Sequence, residues 1–154
     1  MSFFAELPKL ELHLHLEGAA PPELVQRLGA EQGIDLAGLF RSDGQYNSSD
    51  FTTFLRSYEQ VSKVFVTPES YQALTEAVLA ECAANGVIYA EIFLSPTSLG
   101  YDVGQWREML AAIEAGADAA EERFGIICRF IPVCIRHHGP EKALEGAKVM
   151  LAAP

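Results

Sequence analysis

From Lys9 to Gly18 the chain reads KLELHLHLEG. Leu10, Leu12, Leu14 and Leu16 alternate with Lys9, Glu11, His13, His15 and Glu17, the period of a strand with one apolar and one polar face. Two later runs, VIYAEIFL over 87–94 and IICRFIPVCI over 126–135, are almost continuously apolar. Such runs are typical of parallel strands covered on both faces. Helical spacing fills the intervals. PPELVQRLGAEQGI opens with prolines suited to a first turn. Residues 49–65 place Phe51, Phe54, Leu55, Tyr58, Val61 and Phe65 on one stripe. A helix over 68–85 follows Thr67 as cap and Pro68 as first residue. Residues 103–124 and 140–153 complete the set.

The order strand, helices, strand, helix, strand, helix predicts a βα series and a parallel sheet. About seventy residues separate the first strand from the second, where a plain βα unit needs only some thirty. The excess helices must follow the C-terminal end of a strand, where barrel active sites and their lids form. Three βα units do not close an eight-stranded barrel, which takes about 250 residues. Two architectures fit: a small open α/β sheet, or the N-terminal part of a (β/α)8 barrel. No linker composition divides residues 1–154, so they are read as one domain or part of one.

Composition narrows the chemistry. The chain has 154 residues with 11 basic and 21 acidic side chains, a net charge of −10. A surface this acidic repels nucleic acid and anionic membranes. Neither a membrane-spanning apolar run nor a secretory leader is visible in the sequence. Cys82, Cys128 and Cys134 form an odd, scattered set, which fits a reducing cytoplasm and argues against a thiolate zinc site.

The polar face of the first run then becomes the candidate site. Residues two apart on a strand point the same way, about 6.6 Å apart along it. His13 and His15 can therefore converge on one metal ion. Zinc takes imidazole nitrogen, and a catalytic zinc keeps a position for water. Glu91 and Arg129 stand inside apolar strands, and with Glu11 they are expected to form a paired polar layer below the metal.

PKLELHLHLEGAAPPELV resembles the N-terminal signature of the adenosine/adenine deaminase family of the amidohydrolase superfamily. SSDFTTFLRSYEQVSKVF is similar to its helical gate, GVIYAEIFLSP to its second barrel strand and FIPVCIRHHGP to its third. The resemblance implies a metallo-dependent TIM barrel, of which residues 1–154 carry the first three βα units, with the gate at about 19–86. It implies His13 and His15 as zinc ligands, and His15, Glu17, Phe51 and His137 as substrate contacts. Glu17 stands where adenosine deaminases often carry Asp, a departure that bears on sugar recognition. The implied reaction is zinc-dependent hydrolysis of adenosine to inosine and ammonia in the cytoplasm, with a small purine nucleoside as substrate. Adenine or another 6-aminopurine is the alternative substrate. A different HxH hydrolase and a degenerate, non-catalytic relative are the further alternatives. The family's remaining ligands, its proton-donating Glu and its water-assisting His belong to later strands. Residues 1–154 alone are therefore expected to be inactive.

Overall fold

The computed structural model describes residue 4 and residues 7–47, 49–99, 101–135 and 138–153. Strand β1 (Lys9–His15) leads through a 3-10 turn (Glu17–Ala19) into helix α1 (Pro22–Gln32). Helices α2 (Phe51–Ser62) and α3 (Pro68–Ala84) follow, then β2 (Val87–Leu94), α4 (Val103–Phe124), β3 (Ile127–Pro132) and α5 (Pro140–Ala152). The three strands form one parallel sheet in the order β1-β2-β3. The expected βα series is therefore present, with the helical insertion after the first strand.

Local chemistry sets the helix limits. Gly33 takes a left-handed φ of 67° after α1 and returns its N–H to the carbonyls of Ala30 and Gly29. The Asp50 carboxylate accepts the Thr53 N–H at 2.9 Å and starts α2. Thr67 and Ser70 form a reciprocal capping box at the start of α3, with Pro68 in its first turn. An antiparallel bridge between Phe40 and Tyr46 closes a small hairpin between α1 and α2. The sequence pattern did not predict it. The Tyr46 hydroxyl ties this hairpin to the Ala20 carbonyl at 2.7 Å.

Ala90, Ile92 and Leu94 of β2 point to the helix side and are buried with Leu74 and Val78 of α3 and Ile113 of α4. Burying this apolar surface is what holds the helices on the sheet. Helices α3 and α4 approach closely at Gly116, where an added Cβ would stand 2.8 Å from the Gln72 carbonyl oxygen.

One expectation about β1 needs correction. The four leucines do not share a face. Glu11 pairs with Ala90 and Leu14 with Ile92, so two residues, Leu12 and His13, stand opposite Glu91 alone. This is the two-against-one pattern of a bulge. It puts Leu14 and Leu16 on the helix side, while Leu10 and Leu12 are left 61% and 52% exposed. Glu11 consequently shares the helix side with Ala90 and lies near enough to Cys82 to add to burial in raising its thiol pKa. The expected Glu11–Glu91–Arg129 layer does not form. Glu91 and Arg129 are register partners on the other face, yet Glu91 accepts the Tyr89 hydroxyl and Arg129 donates to the Cys128 carbonyl.

Candidate active site

The register shift aims both histidines at the open face. The bulged His13 N–H is met by the Glu11 carboxylate at 3.3 Å. His13 and His15 ring centroids lie 5.5 Å apart. Zinc held by nitrogen at about 2.0–2.1 Å puts two tetrahedrally arranged rings about 5 Å apart, so the pair fits two ligands of one zinc. Among the described residues no group of three or more His, Cys, Asp or Glu side chains could hold a metal.

Phe93, near the C-terminal end of β2, backs both rings, at 4.4 Å from His13 and 5.4 Å from His15. Sequence reasoning missed it. Its signal was the period of two that continues from Tyr89 and Glu91 toward the strand end. Tyr58 of α2 meets His15 edge-on at 6.5 Å. The His15 pKa is lowered, first by burial and then by the neighbouring His13, with Glu17 opposing. Each lowering cause favours the neutral imidazole that a metal ligand requires.

Glu17 begins the 3-10 turn just after β1 and is 8% exposed. Its Oε2 accepts the Tyr58 hydroxyl of α2 and its Oε1 the Tyr71 hydroxyl of α3, both at 3.0 Å. The sequence pattern placed Tyr58 on a helix stripe, and neither tyrosine was singled out as a partner of Glu17. Burial and the Glu17 carboxylate raise the Tyr58 pKa, keeping its hydroxyl protonated as a donor. Phe51 is the first residue of α2, 73% exposed, with its ring stacked on Phe54 at 6.4 Å. His137 lies outside the described residues.

The histidine pair, Phe93, Tyr58 and Glu17 therefore meet at the C-terminal ends of β1 and β2, the catalytic end of parallel α/β barrels.

The family profile described as adenosine deaminase matches residues 8–152. The adenine deaminase of Agrobacterium fabrum is 42% identical over 145 residues, covering 94% of this chain and 44% of that protein. A zinc-bound amidohydrolase from Burkholderia ambifaria superposes with a TM-score of 0.81 at 26% identity, covering 98% of this chain and 42% of its own. Adenine deaminase from Arthrobacter aurescens gives 0.77 at 28% identity, covering 93% and 44%. These neighbours are TIM barrels, and the three-stranded sheet is a partial barrel of the same kind. The chain spans less than half the length of the relatives it matches.

Proposed function

Because the chain belongs to the adenosine deaminase family, we propose that, within a complete barrel, it serves the zinc-dependent hydrolytic deamination of a 6-aminopurine, with free adenine as substrate. Adenine and water give hypoxanthine and ammonia. The observation that carries this reading is the side-by-side pair His13 and His15 at the C-terminal end of β1. Adenine is preferred to adenosine as substrate because relatives at about this level of identity, such as that of Agrobacterium fabrum at 42%, are named adenine deaminases.

In this reading His13 and His15 hold the metal from one rigid strand, and Phe93 limits how their rings can turn. Bound zinc supplies Lewis acidity that brings the pKa of water close to neutrality. The edge-on ring of Tyr58 closes one side of His15, which keeps bulk solvent from that flank. Strands beyond β3 in the complete barrel supply the remaining ligands and the groups that move protons.

The test measures ammonia release by the complete-barrel protein from adenine and from adenosine. Adenine is expected to exceed adenosine in kcat/KM by about tenfold or more. His13→Ala and His15→Ala should each lower turnover by at least about 100-fold. A zinc-loaded complete barrel that deaminates neither compound would overturn the reading. Preferential turnover of adenosine would replace the substrate while keeping the chemistry.

A further inference from the structure

Both oxygens of the Glu17 carboxylate are engaged by protein. Each oxygen accepts one tyrosine hydroxyl, Tyr58 from α2 and Tyr71 from α3. The Tyr58 ring also lies against Gly18, where an added Cβ would stand 3.1 Å from Tyr58 Cε2. On its other side Glu17 borders a small cavity shared with Tyr71, Leu94, Ser95 and Trp106. The free volume there is about 10 Å³, room for about one water and not for a sugar. A buried carboxylate held by two hydroxyls from two different helices is a junction between elements, because charge-assisted bonds of this kind are among the stronger ones.

We propose that Glu17 is a positioning residue that clamps the gate helix α2 to the metal-bearing strand through Tyr58 and Tyr71, and does not itself contact the substrate. The clamp fixes where the Tyr58 ring stands beside His15, and hence the width of the site at that flank. Glu17 is 8% exposed and the free space beside it is about 10 Å³, which leaves no room there for a ribose; this deepens the free-base reading above and rests on it for substrate class.

The test uses the complete-barrel protein with Glu17→Gln, which keeps the side-chain volume, and Tyr58→Phe, which keeps the ring. Amide hydrogen exchange over residues 51–62 is compared with that over β1 and β2. Each variant should speed exchange in α2 by about tenfold and leave the strands unchanged, as for loss of one hydrogen bond to a charged group. The double variant should be no faster than the faster single one, because both remove the same junction. In steady-state assays both variants should lower kcat for adenine with little change in KM, and raise the adenosine-to-adenine ratio of kcat/KM.

Unchanged α2 exchange in both variants would overturn the clamp. So would a Glu17→Gln variant that raises KM for the substrate while Tyr58→Phe leaves it unaltered, since that identifies direct contact. If exchange changes as expected but no aminopurine is turned over, the clamp stands and the deaminase reading falls.

Discussion

His15 is placed between opposing influences. Partial burial and the neighbouring His13 lower its pKa below the ordinary 6.5, while Glu17 pulls the other way. Between the ordinary histidine range and the lowered folded value, the unfolded chain takes up a proton that the folded chain resists. Stability from this group is therefore fully present above about pH 6.5 and declines as pH falls through the folded pKa. Following the ring protons of the metal-free protein by NMR should show His15 titrating below 6.5, and Phe93→Ala should move it back toward that value by relieving burial. A midpoint at or above 6.5 would contradict the lowered pKa. At this scale the sequence showed the two paired histidines, because a period of two on a strand is a local signal. It did not show what Glu17 touches. Its partners Tyr58 and Tyr71 are 41 and 54 residues away, and a helix stripe looks the same whether or not its tyrosines reach a carboxylate.

Helices and strands differed in how legible they were. The helices were bounded by residues whose effect is local: Thr67 before α3 with Pro68 as its first residue, Asp102 before α4, Gly139 and Pro140 around the start of α5. The β1 register shift left no such mark, since the alternation reads identically before and after it, and only pairing with β2 reveals that the leucines change sides. The close crossing of α3 and α4 was equally silent in the sequence. Gly116 permits it, and its missing Cβ would meet both the Gln72 carbonyl at 2.8 Å and Thr75 Cβ at 2.9 Å. Backbone cannot rotate away, so Gly116→Ala should destabilise by about 1–3 kcal/mol through overpacking, despite the better helix propensity of alanine. Gly29→Ala is the control. Its new Cβ would meet only the Leu36 side chain, whose Cδ1 can swing aside. Urea denaturation of the two variants should show a clear loss for Gly116→Ala and a smaller change for Gly29→Ala. Equal effects would mean that α3 and α4 separate without cost.

At the scale of the whole molecule the sheet is parallel and three strands wide, and the described parts of β1 and β3 each pair on one side only. On its open face lie Leu10 and Leu12 together with both histidines, apolar and imidazole groups that a closed barrel would enclose. The βα order made this architecture readable, because parallel strands with intervening helices admit few topologies. Under the proposed function the zinc ligands divide in the same way as the barrel. His13 and His15 offer two nitrogens, whereas a catalytic zinc takes three protein ligands or more with a position for water. A protein of residues 1–154 alone should therefore lose added zinc on a single gel-filtration pass and release no ammonia from adenine. The complete barrel should retain the metal through the same pass and lose its activity on chelation, recovering it when zinc is restored. Metal content read by atomic absorption separates the two cases. Stoichiometric zinc retained by the 154-residue protein, with turnover of adenine, would show that the paired histidines find their remaining ligands within this chain.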